Sequence, residues 1–292
     1  MLTAVFCDID DFCLHFEPEF NQFLIDTCAR QRIRKQSLSM SEVATIVVMF
    51  HFQGYRCLKD FYIKHVCKYW RDRFPGLVSY NRFVELIPQA LMTLCAFLKT
   101  RYGKASGISY IDSTGLSVCT KNRVKRHKVF KHEAGWGKSS TGWYFGFKLH
   151  LIVSDTGELL GVKCTSGNTD DRAVLDDMCC NLFGKLFGDR GYISKAKKLL
   201  LQDKYGVELI TSRRKNMKPQ NLPAFDKVLL RGRAIIETIN DQLKNIFQIE
   251  HSRHRSKTNF MVNLLAGLVA YTYQEKKPSL SIQHTGLVQV MA

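Results

Sequence analysis

The chain has 292 residues, 45% of them hydrophobic, and carries 43 Lys and Arg against 26 Asp and Glu, a net charge of +17. That length admits one large domain or two modest ones with real cores, and the charge points to a polyanionic partner, nucleic acid ahead of an anionic membrane surface, because neutralising phosphates releases condensed counterions. None of the ten cysteines forms a C-x-x-C pair, which excludes zinc-ligand spacing, and the apolar company of Cys28, Cys95 and Cys164 fits reduced thiols in a reducing cytoplasm.

The start, MLTAVFCDIDDF, lacks the basic and apolar regions of a signal peptide. Its acidic residues Asp8, Asp10 and Asp11 read as surface or helix-capping groups, since no strand delivers them to a sheet edge. The first hundred residues read as helical, with apolar residues at helical spacing over Met40–Phe52, Leu58–Trp70 and Phe83–Leu98. Ser39 or Ser41 is placed to cap the first of these segments and Ser79 the last. Residues 1–102 are therefore expected to form an N-terminal helical region. Pattern alone does not choose between a helix-turn-helix-like module for DNA ends and helical packing without DNA contact.

The texture changes near Gly103. An apolar run, Ile108–Ile111, ends in Asp112. Residues 144–153 alternate with period two, as a half-buried strand does. Asp155–Gly157 makes a turn and Leu159–Thr165 returns as a second strand. One of Asn168, Thr169, Asp170 or Asp171 is expected to cap a helix reaching about Leu182, with Asp170 and Asp171 read as caps ahead of metal ligands. Leu186–Gly188 leads as a short strand into Asp189. A helix over Lys195–Lys204, a strand over Val207–Thr211, a basic loop over Ser212–Leu222 and a helix over about Gly232–Gln248 follow. Phe260–Tyr273 is the longest apolar run, shorter than the roughly 20 residues of a spanning helix, and reads as a buried core helix. The order is that of a mixed α/β domain, here residues 103–276, with 277–292 as a tail.

Three carboxylates stand where chemistry can reach them. Asp112 and Asp189 each end a strand, and strand ends of an α/β sheet are where ligands bind. On a helical wheel Arg233, Glu237 and Lys244 fall within about 40° of one another, beside the apolar face of Ile235, Ile236, Ile239, Leu243, Ile246 and Phe247. Taken alone, Arg233 and Glu237 are better explained as an i,i+4 ion pair of roughly 0.2–0.5 kcal/mol. No convincing nucleophile-and-base constellation is present, and the histidines lack metal-ligand spacing.

Asp112 in YIDST, Asp189 in GDRGY, and Arg233, Glu237 and Lys244 in R-x3-E-x6-K resemble the DDE transposases of bacterial insertion sequences, in particular the insertion sequence 982 family. The DIDDF start, the central GNTDDR and the basic late helix extend the resemblance over most of the chain. Leu230 stands where related families often carry a Tyr, three residues before the motif arginine. The resemblance implies a ribonuclease H-like fold: a five-stranded mixed sheet flanked by helices, behind an all-helical N-terminal region. It implies Asp112, Asp189 and Glu237 as catalytic and metal-binding residues for two Mg2+ ions, with Mn2+ as a substitute. Asp112 would bridge the ions and the others would hold one each. Two such ions about 3.5–4 Å apart stabilise both the attacking and the leaving oxygen of an in-line displacement.

The implied reaction is cleavage of insertion-sequence ends followed by transfer of the freed 3′-hydroxyls to target DNA. Arg233 and Lys244 would contact phosphates near the cut, Arg190 would do the same, and Arg213, Arg214, Lys215 and Lys218 would track the DNA backbone. Trp136 and Trp143 are placed to stack on an unpaired base, although ordinary packing explains them better. The expected partners are double-stranded DNA, as terminal inverted repeats and target, and a second copy of the chain, without a membrane. The expected location is a prokaryotic cytoplasm, associated with the nucleoid when bound to DNA. The competing functions are a ribonuclease H-like nuclease or resolvase without strand transfer, and an inactive DNA-binding copy.

Overall fold

The computed structural model describes residues 1–29, 32, 36–139, 142–213, 216–217, 221–250 and 254–280. The chain forms two compact units. The first comprises Met1–Arg101, Ser117–Ala134 and Asp241–Gln274, and the second Tyr102–Leu116, Gly135–Asn240 and Glu275–Ala292.

The first unit is helical. Its opening helix α1, Leu2–Asp26, is anchored by Val5, Ile9 and Cys13, one buried side chain per turn. Asp8 accepts hydrogen bonds from Arg101 (3.2 Å) and from the Tyr273 hydroxyl (2.8 Å), and Asp10 accepts one from Ser41 (2.5 Å). These two carboxylates therefore brace the unit from inside a helix and do not cap one. Helix α2, Met40–Phe50, starts on a capping box in which Ser39 and Glu42 satisfy each other's backbone amides. Leu58–Tyr69 is one helical stretch, with α3 (Leu58–Phe61) and α4 (Cys67–Tyr69) joined by a π turn at Tyr62–Val66. Ser79 caps α5, Tyr80–Leu86, which continues through a tight turn at Pro88 into α6, Ala90–Thr100. Tyr80–Thr100 is long and apolar enough to cross a membrane by length and composition alone. Its Ala90, Leu94, Phe97 and Leu98 are buried, and α6 packs against α2 and a later helix, Lys257–Thr272. That later helix is buried along nearly its whole length, as its apolar run predicts.

His51, just past α2, is buried and donates from Nδ1 to the Phe247 carbonyl. Burial pulls its pKa from 6.5 down to about 4. Below about pH 6.5 the unfolded chain takes up this proton first, so stability falls as pH drops through that window and the loss is complete near pH 4. The full effect is about 3 kcal/mol for a shift of this size. Urea unfolding between pH 7 and pH 4 is expected to show a slope near one proton that His51→Gln removes. An unchanged slope in the variant rules the assignment out.

The second unit is built on a curled mixed sheet of six strands: β1 (Ile108–Cys119), β2 (Gly135–Ser139), β3 (Gly142–Ser154), β4 (Leu159–Ser166), β5 (Gly184–Gly188) and β6 (Val207–Thr211). The order is β2-β3-β1-β5-β6, with β4 also paired to β3. β1 and β5 are parallel, as are β5 and β6, whereas β3 pairs antiparallel with β2 over Gly142–Gly146 and with β4 over Phe147–Val153. The sheet has one strand more than expected. β2 lies in the glycine-rich stretch GWGKS, whose glycines mask strand character; Gly137 is required because a Cβ there would fall 2.4 Å from the Tyr144 ring. The strand continues the mixed α/β layout without altering it.

Two helices differ from expectation. The helix expected to reach Leu182 is a short turn, Asp171–Val174, followed by α7, Leu175–Met178. It stops early because the chain turns at Cys179–Leu182 to enter β5 at Gly184, whose φ is +78°. α8, Lys195–Tyr205, is capped by Ser194 and ended by the left-handed Gly206. The expected late helix is α10, Ala234–Asn245, and it is preceded by a helix that the sequence reading did not anticipate, α9, Ala224–Arg231. Between α9 and α10 the buried Tyr110 hydroxyl donates to the Leu229 carbonyl, the oxygen that a continuous helix would pair with the Arg233 amide. α10 ends short of Gln248, where the backbone adopts a φ of +49°. The final helix of the chain, Lys257–Thr272, is α11.

Candidate active site

The parallel register pairs Ile111 of β1 with Gly188 of β5. Asp112 and Asp189 each follow that pair directly, so they leave two neighbouring strands at the same level. β1 continues past Asp112, and Asp112 therefore sits within the strand where the expectation had it at the strand's end. Asp189 caps the one-turn helix Arg190–Tyr192 by accepting from the Gly191 amide at 2.7 Å.

Asp112 is the most constrained of the carboxylates. Its side chain is 18% exposed, and burial pushes its pKa up to about 6, with Asp189 and Glu237 adding like charge and Arg233 and the Ser113 amide opposing. From α10, Asn240 donates to Asp112 at 3.1 Å, while its own Oδ1 is buried with no hydrogen-bond partner among the described residues. Arg233, one residue ahead of α10, stands 3.9 Å from Asp112 and donates to Glu237 at 2.6 Å. The i,i+4 ion pair weighed from the sequence thus forms, and the same guanidinium also faces Asp112. Glu237 remains 55% exposed.

Among the described residues, no three His, Cys, Asp or Glu side chains are gathered into a metal-binding group; Glu237 is turned toward Arg233. In donor chemistry the residues do fit a divalent cation. All three carboxylates offer hard oxygens, Asp112 carries a buried charge that a cation would relieve, and Asn240 presents an unsatisfied buried oxygen beside it.

Sequence reasoning missed a fourth acidic residue. Asp170, not Asp171, is the helix cap. The carboxylate of Asp171 turns inward, accepting from Ser113 at 2.8 Å and from Lys148 at 3.2 Å, with His150 at 3.8 Å. Tyr192 is buried beside the same groups: its phenol is held well above the ordinary value by burial, then by the charges of Asp171, Asp112 and Asp189. Two adjacent aspartates after Asn168-Thr169 look alike in sequence, and only the third dimension separates them.

The basic residues scatter. Arg190 is exposed next to Asp189. Arg213 is exposed and donates to the Met217 carbonyl, whereas Arg214, Lys215 and Lys218 lie outside the described residues. Lys244 belongs to the first unit, where it pairs with Glu250 at 3.3 Å. Trp136 and Trp143, for which packing was the better expectation, are 43% and 55% exposed on β2 and β3. The register and pairings put Phe145 opposite Trp136 and Lys138 opposite Trp143.

A mixed sheet with parallel β1, β5 and β6, an antiparallel β3–β4 pair and flanking helices, preceded by a helical region, is a ribonuclease H-like α/β architecture. Residues 102–257, more than half of the chain, match the family model described as the transposase DDE domain. The chain belongs to that family, and is by family a transposase. A comparison with curated proteins returns no match.

Proposed function

We propose that this transposase cleaves the ends of an insertion sequence of the 982 family type and transfers the resulting 3′-hydroxyl ends to target DNA. The observation that carries the reading is the placement of Asp112 and Asp189 on paired parallel strands, with Arg233 linking Asp112 to Glu237. Each step exchanges one P–O bond for another. Water first displaces the 3′-oxygen at the element end; that 3′-hydroxyl then displaces a 3′-oxygen in the target.

Asp112, Asp189 and Glu237 would hold two divalent cations, Mg2+ or in its place Mn2+. The cations would supply Lewis-acid activation of the phosphodiester and of the attacking oxygen. Arg233 has two partners to choose from. Facing carboxylates alone, it neutralises Asp112 and Glu237. Facing a DNA phosphate, its planar fork prefers the bidentate phosphate contact, which frees Glu237 to turn inward. Asn240 keeps Asp112 oriented throughout. Arg190, exposed beside Asp189, and Arg213, with Arg214, Lys215 and Lys218, are proposed as backbone contacts, and Lys244 as a phosphate contact. The helical N-terminal region is proposed to read the terminal repeats. Two copies of the chain would join two ends, in a prokaryotic cytoplasm.

The test is Mg2+-dependent cleavage and joining of DNA carrying the element's own ends, with Glu237→Gln alongside. Wild-type protein is expected to cut and join, and the variant to do neither while still retarding end DNA in a gel. Cutting without joining would sink the strand-transfer reading and leave a nuclease.

A further inference from the structure

Asp171 lies against the strand that carries Asp112 and against the turn that follows Asp189. Its Oδ1 accepts from Ser113, the residue after Asp112 on β1, and from Lys148 on β3. Lys148 also donates to the Thr169 carbonyl at 2.8 Å, which ties down the segment that carries Asp171. Its Oδ2 lies over Gly191 on the Asp189 side: a Cβ on Gly191 would stand 3.0 Å from Asp171 Oδ2 and 2.9 Å from Asp189 Oδ1. Gly191 has no left-handed φ to explain its being glycine. What it lacks is room, and the atoms that would fill the space are two carboxylate oxygens.

We propose that Asp171 is a positioning residue for the Asp112–Asp189 pair, and that Gly191 is glycine so that the carboxylates of Asp171 and Asp189 can close over it. The inference rests on the reading of Asp112 and Asp189 as the cation-holding pair. It adds that their separation is set by a third carboxylate, pinned to β1 through Ser113 and to β3 through Lys148. The arrangement separates charge from spacing. Asp171→Asn keeps the shape and removes the charge and the Lys148 pairing. Gly191→Ala keeps every charge and drives a methyl between the two carboxylates, with a backbone conformation that alanine tolerates.

The experiment is Mn2+ binding to the DNA-free, full-length protein by calorimetry, with Mg2+ titration of cleavage and thermal midpoints beside it. The variants are Asp171→Asn, Gly191→Ala and Asp112→Asn. Both positioning variants are expected to weaken Mn2+ binding about tenfold, the scale typical of residues that orient metal ligands. The Mg2+ needed for half-maximal cleavage rises in step, and the thermal midpoint of Gly191→Ala stays close to wild type. Unchanged Mn2+ affinity in both variants, or lowered activity that tracks a lowered midpoint at unchanged Mg2+ requirement, overturns the proposal while Asp112→Asn still abolishes binding. Mn2+ binding that survives Asp112→Asn overturns the cation-pair reading itself, and the positioning role with it.

Discussion

Asp112→Asn is expected to abolish cleavage and at the same time make the cation-free protein more stable. The activity loss should reach roughly a thousandfold, about 4 kcal/mol of lost transition-state stabilisation. The stability gain follows from where the charge sits. The folded carboxyl has its pKa raised from 3.8 to about 6, chiefly by burial. It therefore holds its proton more tightly than the unfolded chain does, and stability falls as pH rises between those two values. Above about pH 6 the penalty is complete, about 1–3 kcal/mol once the partial exposure of the group is discounted. Asparagine carries no charge to desolvate and still accepts the hydrogen bond from Asn240. In EDTA at pH 7.5 the variant should melt several degrees above wild type. Added Mg2+ should raise the wild type, because an ion that binds only the folded state stabilises it by mass action, and leave the variant where it was. A variant less stable than wild type in EDTA would mean that Asp112 is a structural carboxylate and not a strained ligand.

Gly184→Ala is expected to cost roughly 2–4 kcal/mol and lower the melting midpoint by roughly 10 °C. Two effects combine. The backbone at Gly184 has a φ of +78°, which side-chain-bearing residues rarely adopt, and a Cβ there would fall 2.4 Å from the Gly107 carbonyl oxygen. That oxygen cannot yield, since it accepts the Lys185 amide at 2.8 Å and so registers β5 against the start of β1. Gly206→Ala separates the two effects. It shares a positive φ, +66°, but has open space around it, so it should cost only about 1 kcal/mol. Equal losses at the two sites would show that the close approach of Gly184 to Gly107 is not maintained in solution.

The strands that deliver the two aspartates were legible because their signal is local. An apolar run closing on an aspartate, as at Ile111-Asp112 and Gly188-Asp189, announces the strand, although β1 runs on past Asp112 and buries most of it. Glu237 was legible through the helical wheel, although the wheel did not show that Arg233 would also face Asp112. What escaped depends on pairing partners that no local preference announces. β2 exists because Trp136 and its neighbours find β3, not because GWGKS favours extended backbone. α9 was not read as a helix, and one of its carbonyls, Leu229, accepts from the Tyr110 hydroxyl more than a hundred residues earlier in the chain. α1 has its apolar residues at helical spacing, yet interleaved aspartates hide the face, and two of those aspartates serve Arg101, Tyr273 and Ser41. Asp171 was read as a cap because its neighbour is one.

The first compact unit is assembled from three stretches of chain, and one of them, Asp241–Gln274, brings α11, against which α6 packs. During synthesis the first hundred residues therefore leave the ribosome without the helix that covers them. Their apolar surface stays open until more than 150 further residues, including nearly the whole sheet of the second unit, have been made. For a chain of this length that is an interval of roughly ten seconds or more at ordinary translation rates. All six strands of the second unit are made before α11, although that unit also takes in chain that follows Gln274. A copy truncated before residue 257 would keep the carboxylates and lose the partner of its own N-terminal helices, and would be expected to aggregate rather than persist as a soluble competitor of the full-length protein.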